Sequence, residues 1–251
     1  MPVKLFGATH VGMKRLQNQD NFLVLPELNP QISVCAVADG MGGHKGGETA
    51  SLMCIETLSD YFKKKTANGG LTANPEQSLQ EAFLAANSAI QKKSIATESL
   101  NGMGTTTTAL LFIGPKLYIA NVGDSRTYLI QRDRIWPITR DHSVVQEKLQ
   151  AGLITREQTK TDKMRNVLTR AVGFESMLDV DVYAMDIKKG DLFLVCSDGL
   201  YTMVDDAKIC ETFQKILKTG ISLEKAAEEL IDLANQGGGE DNITTILAQV
   251  V

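Results

Sequence analysis

With 251 residues, 43% of them apolar and 22% charged, the chain has the makeup of a globular protein large enough for a well-filled core. A formal net charge of −4 excludes a general attraction to nucleic acid or to an anionic membrane surface. No apolar run approaches the roughly 20 residues that a membrane span requires, and residues 1–12 read as a first strand rather than a signal peptide.

In chain order, strands are predicted at 3–9, 21–25, 32–38, 105–113, 116–121, 127–131, 134–138, 178–185, 192–196 and 243–250. In several of them Val, Ile, Thr and Tyr gather, and Gly, Asp or Asn closes the run. Residues 116–131 read as a hairpin turning at Val122-Gly123-Asp124-Ser125, and a second hairpin turns at Arg132-Asp133. Helical period places Ala50, Cys54, Leu58 and Tyr61 on one stripe of 47–64, and Leu79, Ala82, Phe83, Ala86 and Ile90 on one stripe of 75–93. Asn74-Pro75 offers a capping side chain and a residue preset for the first helical turn. Two later helices are predicted at 205–217, closed by Gly220, and at 223–235, capped by Ser222 and closed by Gly237.

Strands cluster and helices arrive in pairs, without strict β-α-β alternation. This predicts an α+β architecture in one domain, with largely antiparallel sheets covered by helix pairs. Residues 141–173 are polar, hold a short helical pattern at 144–149, and read as a flap inserted on the surface. The four cysteines, Cys35, Cys54, Cys196 and Cys210, form no C-x-x-C pair, and only three histidines are present, which argues against a zinc site. Buried thiols in a reducing compartment, hence the cytoplasm, are expected.

Five aspartates share an unusual setting. Asp39 ends ISVCAVAD and Asp198 ends LFLVCSD, each followed by glycine; Asp124 lies in NVGDSR, Asp241 precedes the last strand in GGGEDNITTI, and Asp20 lies in RLQNQDN. Each alone is explained by turn chemistry, since Asp-Gly is a common turn dipeptide. Together, carboxylates delivered by strands to one sheet edge would repel unless something positive lay between them. Oxygen ligands of this kind suit hard cations such as Mg²⁺ or Mn²⁺. Arg15, five residues before Asp20, offers a guanidinium fork that matches phosphate, or is simply a solvated surface charge. The glycines of DGMGGHKGGE allow close backbone approach to a ligand, or form a plain loop, and no P-loop pattern occurs.

The motifs GMKRLQNQD, VADGMGGHKGGETAS, GMGTTTTALL, LYIANVGDSRTYLI, TRDHS, RNVLTRAVG, DLFLVCSDGLYTMV and GGEDNITTIL, in this order over nearly the whole chain, resemble the metal-dependent protein phosphatases of type 2C in their compact bacterial form. The resemblance implies a four-layer α-β-β-α sandwich of two mainly antiparallel sheets. It implies hydrolysis of phosphoserine and phosphothreonine in proteins by a metal-bridging hydroxide attacking in line, reversing a cognate serine/threonine kinase. By position, Asp39 would bridge two Mn²⁺ or Mg²⁺ ions, with the Gly40 carbonyl as a further ligand. Asp198 and Asp241 would hold the first ion and Asp20 a water of the second. Asp124, with Asp198, would form a weaker third site, and Arg15 would bind the phosphate. A monomer is expected, with phosphorylated proteins as partners and neither nucleic acid nor membrane.

The chain departs from the family pattern at Gln19, where an acid is common, at His10, and in the flap stretch Asp162-Lys163-Met164-Arg165-Asn166. Met41 stands where a leaving-group acid can occur; His44 is one candidate for that role and a metal-bound water the other. Two further readings remain open on these residues: a catalytically silent phosphoprotein-binding module, and a metal hydrolase of small phosphate esters or nucleotides.

Overall fold

The computed structural model describes residues 1–251 apart from the side chain of His44, so the candidate acid His44 lies outside what is described. In chain order the elements are β1 (Val3–His10), β2 (Asp20–Asn29), β3 (Ile32–Met41), α1 (Gly43–Ala67), α2 (Gly70–Ala73), α3 (Pro75–Ala96), β4 (Gly104–Thr105), β5 (Thr107–Ile113), β6 (Lys116–Val122), β7 (Arg126–Gln131), β8 (Arg134–Pro137), α4 (Val144–Gln150), α5 (Arg156–Thr159), β9 (Asp181–Asp186), β10 (Leu192–Cys196), α6 (Asp198–Tyr201), α7 (Asp206–Thr219), α8 (Leu223–Gln236) and β11 (Ile243–Val250). One sheet has the order β1-β11-β10-β7-β8 and the other β2-β3-β5-β6-β9, with β4 adding to β3. Neighbouring strands pair antiparallel.

Successive strand residues point to opposite faces, and the central strands are apolar on both. In β3, Val34, Ala36 and Ala38 pack with Leu58 and Phe62 of α1 and Phe83 of α3. Cys35 and Val37 point the other way, into a core shared with Phe112, Phe193 and Ile246. A third core lies under α7 and α8, where Ile209, Phe213 and Leu230 meet Ile130, Leu194 and Leu247. Three cores between four layers give the helix–sheet–sheet–helix order and the α+β class expected. Between the sheets the Phe112 and Phe193 rings meet edge to face, 5.9 Å apart. Truncating either to Ala would cost about 3–5 kcal/mol.

The structure corrects the sequence reading at several points. Residues 116–131 are not a hairpin: β6 pairs with β5 and β9, whereas β7 pairs with β10 and β8 in the other sheet. Residues 122–125 therefore cross the roughly 10 Å between stacked sheets. Turn residues between two apolar runs announce a sheet crossing and a hairpin alike. The expected strand 105–113 is interrupted at Thr106, whose hydroxyl stands in for a ladder carbonyl by accepting from the Asp39 N–H at 3.2 Å. The glycine-rich stretch is no plain loop, because it completes β3 and begins α1. Asn74 precedes α3 without capping it through its side chain, while Ser222 caps α8 as expected, accepting from the Lys225 N–H. The Arg132-Asp133 hairpin forms, joining β7 to β8.

Candidate active site

Strand ends from both sheets meet at one end of the sandwich. Asp39 lies near the end of β3, and Asp20, the first residue of β2, is its direct register partner. The other sheet contributes Asp198, which opens α6 after β10, and Asp241, just ahead of β11. Asp124 sits in the crossing between the sheets, and Arg15 sits in the β1–β2 connection. Asp39, Asp124, Asp198, Asp241, Arg15 and Gly40 line one cavity of about 1120 Å³. Arg15 closes the acidic ring, its Nη2 donating to Asp241 Oδ2 at 2.6 Å.

Turn chemistry would place Gly40 and Gly199 in left-handed backbone, and neither is there. Their shared reason is close approach. A Cβ on Gly40 would lie 2.0 Å from the Gly47 carbonyl oxygen, and one on Gly199 would lie 2.1 Å from the Asn242 carbonyl oxygen. The first glycine seats the start of α1 against β3. The second lets the loop before β11 press on α6, which carries Asp241 toward Asp198.

Asp20 is not on the cavity wall. It lies behind Asp39, 4% exposed, with Oδ2 accepting from Ser197 Oγ at 2.8 Å and Thr244 Oγ1 at 2.7 Å. Burial pushes its carboxyl up to about 6, against the pull of the Thr244 and Ser197 hydrogen bonds. Asp124 is also pushed up to about 6, by burial first and the Asp141 charge second, with Arg126 opposing. Burial holds Asp39 and Asp198 well above the ordinary carboxylate range, and neighbouring charges add to it: Asp20 and Asp198 at Asp39, Asp124 and Asp241 at Asp198.

Asp20 Oδ1 and Asp198 Oδ1 are buried and accept no hydrogen bond from the described residues. Orphaned buried carboxylate oxygens are costly, and a cation would satisfy them. Among the described residues, no three Asp, Glu, His or Cys side chains close around one point tightly enough to cage an ion. An open, all-oxygen ring fits Mg²⁺ or Mn²⁺, which keep several waters and take one or two carboxylates each. It does not fit the closed nitrogen and sulfur cage of structural zinc. Burial also pushes the Cys35 and Cys54 thiols up to about 12, so neither supplies a thiolate.

Sequence reasoning missed the side chains that hold this ring. Asn242 Oδ1 accepts from the Gln19 N–H at 2.8 Å, and its Nδ2 donates to the Val11 and Gln17 carbonyls, each at 2.9 Å. It thereby pins the Arg15 connection to the Asp241 loop. Thr106 fixes Asp39 from both sides, its N–H donating to the Asp39 carbonyl at 2.8 Å. Gln19, the departure from the acidic pattern, donates through Nε2 to the Gly43 carbonyl at 2.9 Å and so anchors the start of α1. In the sequence, Ser197, Thr244 and Thr106 look like ordinary polar positions in or beside strands.

The description of the protein phosphatase 2C family matches residues 6–243. The chain belongs to the protein phosphatase 2C family. It is 40% identical over 242 residues to the serine/threonine phosphatase stp of Listeria innocua, covering 96% of this chain and 93% of that one. The solved serine/threonine phosphatase of S. agalactiae matches with a TM-score of 0.91 at 29% identity, over 99% of this chain and 100% of that one. The catalytic domain of the phosphatase PstP, solved in complex with two manganese ions, matches with a TM-score of 0.84 at 34% identity, over 99% and 98% of the two chains.

In this protein phosphatase 2C chain, residues 166–171 with Phe174 and Glu175 form the wall facing the ring. His142 ties that wall to the Asp124 crossing. Its Nδ1 accepts from the Gly123 N–H at 3.1 Å, and its carbonyl accepts from the Thr169 N–H at 2.9 Å. Burial lowers the His142 pKa. With Nδ1 accepting, the ring proton sits on Nε2, 3.3 Å from Asp181 Oδ2. Arg170, on the cavity wall, donates to Asp181 Oδ1 at 2.8 Å.

Proposed function

We propose that this chain, as one domain over residues 1–251 with a flap at about 141–173, removes phosphate from phosphoserine and phosphothreonine in proteins. Mn²⁺ or Mg²⁺ would serve as cofactor, two ions per site and a weaker third. The observation that carries the proposal is one cavity lined by Asp39, Asp124, Asp198 and Asp241 from separate elements, with Arg15 at its edge. When bound, the ions would supply charge to offset the phosphoryl group and a water acidic enough to act as nucleophile at neutral pH.

Asp39, central in the ring, is suited to bridge the pair, with the Gly40 carbonyl beside it. Asp198 and Asp241 would complete one site, Asp124 with Asp198 the weaker third, and Asp20 would orient a water from behind Asp39. Arg15 keeps part of its planar fork free beyond the bond to Asp241, and so can grip phosphate oxygens and aim the monoester. The relative solved with two manganese ions supports the choice of metal.

Phosphorylated proteins and a cognate serine/threonine kinase are the partners proposed, with the chain acting as a monomer. A cytoplasmic location is supported by four free, buried cysteines; among the described residues no helix is long and apolar enough to cross a membrane. The test is Mn²⁺-dependent phosphate release from a phosphothreonine peptide. No release together with no Mn²⁺ binding would favour a silent binding module, and faster release from a nucleotide than from the peptide would favour a small-ester hydrolase.

A further inference from the structure

In the phosphatase reading, Arg15 and the cations hold a phosphate group over the acidic floor of the cavity, so the surrounding wall must meet whatever carries that phosphate. The wall is apolar at Leu16, Val167, Leu168, Ala171 and Phe174. Three of these side chains stand in solvent, Leu16 at 96% exposure, Phe174 at 50% and Val167 at 39%. Exposed apolar side chains lining a polar cavity mark recognition of a partly apolar ligand.

Phe174 is also held in place. Asn87 of α3, almost fully buried, accepts through Oδ1 from the Gly173 N–H at 2.6 Å and donates through Nδ2 to the Glu175 carbonyl at 2.8 Å. These bonds bracket Phe174 on both sides. Its ring occupies the notch left by Gly104, where a Cβ would lie 2.3 Å from Phe174 Cε2. A half-exposed ring fixed by a buried amide and a glycine notch is organised for contact rather than for the core.

Resting on the phosphatase reading above, we propose that Phe174 is a specificity contact for a bulky apolar side chain flanking the phosphorylated residue, and that Asn87 is its positioning residue. The substrate class is a phosphopeptide with an aliphatic or aromatic neighbour. Leu16 offers a second apolar surface in the same cavity.

The test compares phosphothreonine peptides that carry Leu or Ser on either side of the phosphoresidue, alongside p-nitrophenyl phosphate, with Mn²⁺ present. The wild-type chain should favour Leu by about tenfold in kcat/KM, the gain residing in KM. Phe174→Ser should bring the preference to within about twofold, and Phe174→Leu should retain most of it. Asn87→Ala, which keeps the ring but frees its segment, should lower the preference through KM, a change that mere loss of stability would not produce. A wild-type chain without preference, or Phe174→Ser with the full preference, overturns the proposal. Wild-type activity separates the two ideas: no hydrolysis of any peptide or of p-nitrophenyl phosphate overturns the phosphatase reading and this one with it, whereas hydrolysis without peptide preference overturns the role of Phe174 alone.

Discussion

At the floor of the cavity and just behind it the functional groups ride on paired strands: Asp39 on the floor shares a register position with Asp20 behind it, and Asp198 follows a strand whose residues from Leu192 to Cys196 are all buried. Across the mouth, residues 166–175 join the rest of the chain through the isolated bridges Ser143–Leu168 and Thr105–Val172, through Val172 buried in the core under α1 and α3, and through side-chain ties at His142, Arg170 and Asn87. The floor holds like charges together against their repulsion, which only a rigid, deeply packed scaffold tolerates. The wall carries little buried charge and is attached by one buried anchor, Val172, and a few polar bonds that can change without unmaking the floor.

The largest expected effect strikes the floor. Asp39→Asn should lower Mn²⁺-dependent turnover of a phosphothreonine peptide by about a hundredfold or more. In chelator the same variant should melt no lower than wild type, since a buried charge repelled by Asp20 and Asp198 has gone. Wild-type turnover, or a large drop in melting temperature, would break the contrast drawn above.

A pH effect comes next. A carboxyl whose pKa is raised by folding binds its proton more tightly in the folded chain than in the unfolded one. Asp20 and Asp124 rise from 3.8 to about 6, so through that window the folded chain holds the extra protons and stability falls as pH climbs. The metal-free chain should therefore melt higher near pH 5 than near pH 7.5, and Mn²⁺ should narrow the gap. A metal-free stability that rises over this range would show that the floor is not under charge strain.

The third test loosens the clamp beneath the floor. Asn242→Ala leaves the Gln19 N–H and the Val11 and Gln17 carbonyls without their partner. An unfolding titration should show a loss of about 2 kcal/mol. The smallest effect belongs to the wall: Arg170→Gln, which loses the ion pairs to Asp179 and Asp181, should change peptide kcat/KM a few-fold and p-nitrophenyl phosphate less. Equal losses on both substrates would place Arg170 with the floor.

The same contrast explains what the sequence reveals. Asp39 and Asp198 are legible because each closes an apolar run that only a doubly covered strand can bury. Gly40 and Gly199 are visible, but their local signal suggests a turn, while the cause is a backbone contact, of Gly40 with Gly47 near the start of the helix that follows and of Gly199 with Asn242 far along the chain. The 122–125 crossing reads as a hairpin because sheet membership is decided by partners, not by the turn. The ties of the wall, such as Asn87 to Gly173, join residues 86 positions apart with no local signature. Asp20 illustrates both cases: its acidity is plain in the sequence, and its place behind the ring, held by Ser197 and Thr244, is not.

The account depends most on the ring as a cation site. Calorimetric titration of Mn²⁺ into the wild-type chain and into Asp39→Asn tests this without reference to any substrate. The expected result is saturable binding of two ions by the wild-type chain, with the tight phase lost in the variant. Identical isotherms for the two chains, or none for the wild type, would contradict it.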